Sequence, residues 1–189
     1  MAALSAAPIA ALQLLLWHKL FGSLFTIPQG DGFLRYTAPE IWNVLFSDNH
    51  SLLLWHPLLL GALLGGLLIA ARAREHDKGW LVIACLAGIG TQIYMNAIVS
   101  SWWAGNSFGN RRFVDVYPLF MIPLCLAIEV LWAKWKTAIL GIVAALALWN
   151  AVFLVQYRFC YIPREGSLTF TQFVTDKFRL LAVKREYCD

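Results

Sequence analysis

The chain has 189 residues, of which 60% belong to the hydrophobic set and 14% are charged. Soluble domains are nearer half apolar and a quarter charged, so this composition indicates a protein of the lipid bilayer. Nine tryptophans agree with this, since Trp gathers at membrane interfaces. The apolar content and the modest net charge of +4 exclude disordered, collagen-like and nucleic-acid-binding chains. We predict an integral membrane protein.

Five apolar runs come close to the roughly 20 residues that a membrane span needs. They cover about residues 4–27, 52–71, 80–101, 114–133 and 137–157. The first run has neither a basic leader nor a small-residue cleavage site after it, so we interpret it as a retained helix and not as a signal peptide. The sequence therefore predicts an all-α integral membrane fold, with a transmembrane helical domain over residues 1–157.

Basic residues orient the predicted helices. The turns at 72–79 and 134–136 are rich in Lys and Arg, which favours the cytoplasmic side, whereas the longer 28–51 loop is then outside. This predicts a cytoplasmic N-terminus and an extracytoplasmic C-terminus. Arg111 and Arg112 then lie outside with the basic tail, because five alternating spans make these exceptions unavoidable.

Residues 158–189 are predicted to form an extracytoplasmic amphipathic tail. Its apolar positions recur at helical spacing, which is typical of a helix lying on lipid headgroups or against a partner. Ser167 or Thr169 is the expected N-cap. Cys160 and Cys188 could pair only if this end is extracytoplasmic. The apolar face would carry Phe170, Phe173, Val174, Phe178 and Leu181, while Thr171, Gln172, Asp176, Lys177 and Arg179 would face elsewhere.

The outer 28–51 loop offers the candidate catalytic residues. Asp31, Glu40 and His50 could take part in acid–base chemistry, provided that two such groups converge. The alternative is structural, since an acid beside glycine, such as Asp31, is a common turn residue. Both interpretations stay open at this stage.

No metal site and no cofactor are predicted. The four cysteines lack the spacing of metal ligands. His18 and His56 could be considered as haem ligands, but they lie at different depths of their predicted helices, which disfavours a shared axial site.

The segment from 102 to 118 carries the clearest binding signal. Trp102 and Trp103 precede a glycine-containing stretch, and Arg111 and Arg112 follow at the start of the fourth apolar run. One interpretation is two arginines reaching the headgroups beside an aromatic belt. The other is a phosphate-binding guanidinium pair at a helix start, with the tryptophans packing on a sugar or an isoprenoid.

Two stretches have a residue order that hydrophobicity alone does not explain. They are Val44-Leu45-Phe46-Ser47 followed by His50, Trp55 and Pro57, and Ser107-Phe108-Gly109 followed by Arg111-Arg112-Phe113. Earlier matching positions include Gln13, Trp17 and Pro28-Gln29-Gly30. With these residues, over about positions 10–135, the chain resembles bacterial membrane glycosyltransferases similar to protein O-mannosyltransferases, in the GT-C superfamily.

The resemblance implies an enzyme of the bacterial inner membrane that takes a sugar from a polyprenyl-phosphate carrier on the extracytoplasmic side. Arg111 and Arg112 would face the lipid phosphate, and Trp102 and Trp103 the carrier or sugar. In that superfamily the catalytic acid lies in the first extracytoplasmic loop of a longer N-terminal portion. Since Asp31 cannot be equated with that acid, we expect that the catalytic loop is missing.

Two functions follow from this pattern. The chain is either a remnant or half of a polyprenyl-phosphate-sugar glycosyltransferase, or a non-catalytic accessory subunit docked on a larger membrane complex. Its expected partners are the bilayer, a polyprenyl-phosphate sugar and other membrane chains, but no nucleic acid. A small transporter is disfavoured, because it needs membrane-embedded charges that converge on a path, and only Lys19 and Glu129 qualify.

Overall fold

The structure is a computed structural model that describes the backbone of residues 2–73 and 77–178, with side chains over 7–73 and 77–177. The regular structure of these residues is helical, without a β-strand, which confirms the all-α prediction. Predictions for Arg74, for the tail beyond residue 178 and for Cys188 lie outside the described residues. The chain separates into two compact units, Met1–Arg35 and Tyr36–Asp189.

The first unit contains one long helix, α1 (Ala2–Phe21). It ends at Gly22, whose N–H donates to the His18 carbonyl at 2.9 Å. Gly22 has a φ of +73°, a left-handed conformation that closes helices and that glycine adopts without a Cβ clash. The helix is therefore shorter than the predicted 4–27 run.

The second unit contains six α-helices and two short 3₁₀ helices in the described residues. The α-helices are α2 (Ile41–Phe46), α3 (Leu52–Trp55), α4 (Leu58–Ala71), α5 (Gly79–Ala97), α6 (Tyr117–Arg158) and α7 (Phe170–Phe173). The 3₁₀ helices are Arg111–Val116 and Thr175–Phe178.

The predicted 52–71 run is two helices instead of one. α3 stops at Trp55 and α4 starts at Leu58, with His56 and Pro57 between them. Proline has no N–H to donate, and its ring disfavours the helical conformation of the residue before it. His56 accordingly has a non-helical φ of −130° and ψ of 69°.

The long helix α6 folds back on itself. Trp135 is non-helical, with φ −126° and ψ 21°. Tyr117 and Asn150 both contact His56, through a ring-centroid distance of 5.8 Å and an Nδ2–Nδ1 distance of 3.2 Å respectively. A straight helix would separate these two positions by about 50 Å. The halves 117–134 and 136–158 are therefore antiparallel, and the predicted break at 134–136 is confirmed.

Helix α4 packs closely on the first half of α6 through small residues. A Cβ built on Gly65 would overlap the Cβ of Ala127, and one on Gly66 would lie 2.9 Å from the Pro123 Cβ. Small residues that let backbones approach are typical of helix contacts in membranes, where lipid removes the hydrophobic drive for packing. The buried core on either side of this contact includes Ile69, Val82, Leu126 and Ala127.

Two helical stretches of the described chain are long and apolar enough to cross a membrane. They are Gly79–Ala97 and Arg111–Arg158, the second of which contains the fold-back at Trp135. Ala7–Phe21 and Leu58–Ala71 are shorter apolar helices. The length and composition of these helices indicate an association with a membrane.

Candidate functional site

An open groove of about 1000 Å³ runs between the start of α4 and the two halves of α6. We call it the α4–α6 groove. The polar side chains that line it are His56, Tyr117 and Asn150. The rest of the lining is apolar and includes Leu58, Leu59, Val114, Met121, Ile122 and Leu154. A large apolar groove with a few polar groups at one place is the usual form of a small-molecule site.

The polar end of the groove is organised by Asn150. Its side-chain amide donates to the Trp55 carbonyl at 2.7 Å and lies 3.2 Å from Nδ1 of His56. An amide NH₂ group can only donate, so His56 Nδ1 is the acceptor and the neutral ring carries its proton on Nε2. Tyr117 lies edge-on to the same ring.

The Nε2 atom of His56 is buried and makes no hydrogen bond within the described structure. It packs against Gly109, where a Cβ would overlap Nε2, and Gly109 has a left-handed φ of +62°. Glycine is needed here both for the backbone angle and for the contact. The arrangement leaves the Nε2 of His56 buried against Gly109 and without a hydrogen-bond partner in the described structure.

The two arginines predicted to bind a lipid phosphate lie in one short 3₁₀ helix, Arg111–Val116. Arg111 is exposed, whereas Arg112 is half-buried. The Arg112 guanidinium donates to Asn96 Oδ1 at 2.8 Å and to Ser101 Oγ at 3.1 Å. The same 3₁₀ helix supplies Val114 to the groove lining, whereas neither arginine is a lining residue.

Both guanidinium groups lack a carboxylate partner in the described part of the chain. The ion pair found there joins Lys78 and Glu129 at 3.8 Å, away from this helix in sequence. Arg112 is held by neutral oxygen acceptors, which satisfy N–H groups without neutralising the charge. A phosphate would supply the neutralising negative charge through charge-assisted hydrogen bonds.

The two predicted sugar-facing tryptophans are placed differently. Trp102 is buried in the core, and its carbonyl accepts from the side chains of Asn96 and Asn110 at 3.0 and 2.8 Å. Trp103 is half-buried and lies edge-on to Trp102, with ring centroids 5.8 Å apart. Neither tryptophan is a lining residue of the α4–α6 groove.

The candidate catalytic residues of the outer loop are engaged locally. Glu40 precedes α2 and accepts from Asn43 Nδ2 at 2.7 Å. His50 is buried against Trp55, at 4.4 Å between ring centroids, and its Nε2 lies 3.0 Å from the Arg164 carbonyl. Neither residue lines the groove. Asp31 belongs to the first unit, where it is exposed between two left-handed glycines.

The pKa of His50 is lowered below 6.5. Burial is the main cause, because desolvation disfavours the imidazolium, and backbone hydrogen bonds with Arg164 and Ser107 oppose it. The ring is therefore a neutral packing group beneath the C-terminal segment.

The C-terminal segment, residues 160–177, covers an aromatic cluster. The cluster consists of Trp55, Phe108, Phe153 and Tyr157, whose ring centroids lie 4.4–6.3 Å apart in contacting pairs. Ile162 and Leu168 of the C-terminal segment are buried against it. Thr169, one of the two expected caps, caps α7 through a capping box with Gln172. α7 is a single turn followed by a 3₁₀ turn, so the described tail is not one continuous amphipathic helix.

The sequence pattern is wrong about the position of Lys177. It was expected on the polar face of the tail, but its side chain is only 6% exposed. Its Nζ donates to Gln156 Oε1 at 3.0 Å. The same Nζ lies 3.4 Å from the ring centroid of Phe153, 4.7 Å from that of Trp149 and 5.1 Å from that of Phe173. Aromatic faces attract a cation, so the ring cage outweighs the helical pattern. Desolvation lowers its pKa to about 7.

The His56–Asn150 pair was also missed by the sequence analysis. The available signal was Asn150 itself, an amide within the last apolar run, because polar residues inside apolar segments are commonly paired or functional. Within the described residues, no three His, Cys, Asp or Glu side chains are grouped to hold a metal ion. Comparisons with protein-family models, curated proteins and solved structures gave no match.

Proposed function

We propose that this chain is a membrane-embedded module that binds a polyprenyl-phosphate sugar, as a remnant or half of a glycosyltransferase of the bacterial inner membrane. The observation that carries the proposal is the α4–α6 groove, which is apolar along its length and adjoins the 3₁₀ helix of Arg111 and Arg112. A lipid with a long hydrocarbon chain and an anionic head has this combination of chemistry.

The hydrocarbon part is assigned to the groove walls. Leu59 of α4 faces Met121 and Leu154 of the two halves of α6 across the open space. The groove is open at the side, so a chain longer than the groove could continue into the bilayer. An isoprenoid chain fits such a surface because its methyl branches pack against leucine and methionine side chains.

The head group is assigned to the polar end. Arg111 is exposed and has no ion-pair partner in the described chain, and a guanidinium binds phosphate oxygens with two parallel hydrogen bonds. The groove lining contains no acidic side chain. We therefore assign to these residues the binding of the polyprenyl-phosphate sugar. Cleavage of the bond between sugar and phosphate is left to groups outside the groove.

The proposed topology has five spans. They are α1, the α3–α4 pair, α5 and the two antiparallel halves of α6, with a cytoplasmic N-terminus and an extracytoplasmic C-terminus. Cys160 is disulfide-bonded, whereas Cys85 and Cys125 are free thiols. A disulfide beyond the last span favours an oxidising, extracytoplasmic compartment for the C-terminal segment.

The test measures polyprenyl-phosphate binding to the detergent-purified full chain. Arg111→Gln should weaken binding by about tenfold, as expected for the loss of a hydrogen bond to a charged group. Arg72→Gln is the matched control, since Arg72 is also exposed but follows the end of α4 opposite the groove. Equal affinity of wild type and Arg111→Gln would refute the proposed head-group site.

A second candidate function is a non-catalytic subunit of a membrane complex. It is favoured by the apolar surface of α1, where Ile9 and Leu20 are about 70% exposed. Purification in mild detergent, followed by mass spectrometry, separates the two functions. Stoichiometric recovery of an unrelated membrane complex without polyprenyl phosphate would support this candidate, and recovery of the lipid would support the first.

A further inference from the structure

A second, smaller groove of about 280 Å³ lies on the second half of α6. We call it the Lys177 groove. Its apolar lining consists of Ala145, Leu148, Trp149 and Val152, and within the part of the chain that the structure describes its one charged lining residue is Lys177 of the C-terminal segment. None of these residues lines the α4–α6 groove, because the four α6 residues occupy a different face of that helix. The Lys177 groove is thus a separate site.

Lys177 is more than nine-tenths buried, and its ammonium has no carboxylate partner within the described residues. An ammonium has three N–H donors, and one of them is used by Gln156 Oε1 at 3.0 Å. The rings of Trp149, Phe153 and Phe173 surround the charge. Burying a charge without a counter-ion is costly, and aromatic faces compensate only in part.

Among residues 77–177, the elements around Lys177 present no other titratable group to its ammonium. α6 contributes aromatic rings and the Gln156 amide, and α7 contributes Phe173. Asp176 precedes Lys177 on its own 3₁₀ turn and forms no ion pair with it in the described structure. The site therefore combines an uncompensated cation with an apolar channel.

We propose that the Lys177 groove binds an anionic membrane lipid, with one hydrocarbon chain along Ala145, Leu148 and Val152 and the head-group phosphate on the Lys177 ammonium. The complementarity is chemical: the phosphate accepts the free N–H donors and supplies the missing negative charge, while the chain covers apolar side chains. Bound lipid would also hold the C-terminal segment against α6.

The test reconstitutes the full chain in phosphatidylcholine nanodiscs containing a minor fraction of phosphatidylglycerol. Native mass spectrometry then counts the phosphatidylglycerol molecules that each chain retains after release into neutral detergent at pH 6.5. Ala145→Phe fills the groove but leaves Lys177 in place, and it should reduce retention about tenfold. The matched control is Ala144→Phe, which puts the same ring one position around the exposed face of the helix.

A second pair of variants tests the charge. Lys177→Met should abolish the preference for phosphatidylglycerol over phosphatidylcholine, and Lys177→Arg should keep it. Lys134→Met is the control, because Lys134 also lies over a tryptophan ring, at 5.6 Å, but is exposed. Should Lys177→Met fail to fold, the Ala145 and Ala144 variants decide the question.

Two results would overturn the proposal. One is undiminished phosphatidylglycerol retention in Ala145→Phe or in a folded Lys177→Met protein. The other is complete displacement of the lipid by millimolar inorganic phosphate, which would show that the cation binds a free anion and that the apolar channel contributes nothing. Binding of polyprenyl phosphate should be unchanged in Ala145→Phe. A negative result for the Lys177 groove would therefore leave the proposal for the α4–α6 groove intact, and the reverse also holds.

Discussion

The aromatic cluster and the α4–α6 groove meet at two consecutive residues, yet they differ in nearly every physical respect. Trp55 is fully buried in the cluster, whereas His56 lines the open groove. Next to the cluster, His50 stacks on Trp55 and has its Nε2 at hydrogen-bonding distance from the Arg164 carbonyl. In the groove, His56 has an Nε2 with no partner in the described structure.

This difference separates stability from binding. The C-terminal segment covers the cluster with Ile162 and Leu168, and the side chain of Asn106 ties that segment further by a hydrogen bond to Glu165. The groove has no such cover in the described chain. Its walls would bury apolar surface only when a ligand or lipid enters. The cluster therefore holds the fold together, while the groove is available for function.

The largest expected effect compares two neighbouring residues of α6. Phe153 is fully buried in the cluster, whereas Leu154 is 48% exposed and lines the groove. Phe153→Ala should lower the free energy of unfolding by about 3–5 kcal/mol, because it leaves a cavity in a closed core. Leu154→Ala should cost less than about 1 kcal/mol. Unfolding in detergent measures both, and similar losses would contradict the distinction between closed and open regions.

A smaller effect concerns pH and Lys177. Its pKa is about 7 when folded, against an ordinary value of 10.5, so the unfolded chain binds more protons than the folded chain between these values. Stability should therefore rise as pH increases from 7 toward 10. Each kcal/mol should appear as about 2–4 °C in Tm.

The control for this pH effect is Lys177→Met, which should lose that part of the pH dependence, while Lys134→Met should behave like wild type. Parallel pH profiles for wild type and Lys177→Met would show that the buried amine does not titrate as inferred. Thermal unfolding across the pH series provides the comparison.

The smallest expected effect concerns the helix cap Thr169 in the C-terminal segment. Thr169 caps α7 by accepting from the Gln172 N–H at 3.3 Å. Thr169→Ala should destabilise the C-terminal segment by about 1 kcal/mol. Faster amide exchange in α7 would reveal this, with exchange in α4 unchanged. Thr171→Ala, at an exposed position two residues on, is the control, and equal exchange rates in the two variants would contradict the capping role.

Local sequence signals predicted several parts of the fold. The apolar runs predicted helices, the Lys-rich turn predicted the break at Trp135, and Thr169 was expected as a cap. Each of these depends on nearby residues, either through helical periodicity or through an unpaired backbone N–H at a helix end. The break at His56 was also readable from Pro57, although the 52–71 run was interpreted as continuous.

The candidate site was less predictable. The sequence drew attention to Arg111 and Arg112 because a guanidinium pair at a helix start can bind phosphate, and the structure places them on the 3₁₀ helix that supplies Val114 to the groove lining. It gave no reason to pair His56 with Asn150, which lie 94 positions apart. Lys177 was assigned to the wrong face, because helical periodicity cannot register rings on another helix.

The sequence by itself determined the all-helical class, the apolar character of the helices and the points where they break, because composition and local backbone chemistry decide these. Tertiary structure alone decided which polar groups are used up and which are left available. The fold-back of α6 brings Asn150 to His56, and the packing of the C-terminal segment on α6 and on the aromatic cluster buries His50 and Lys177. Such contacts join residues far apart along the chain, so their energies depend on packing that no local pattern contains.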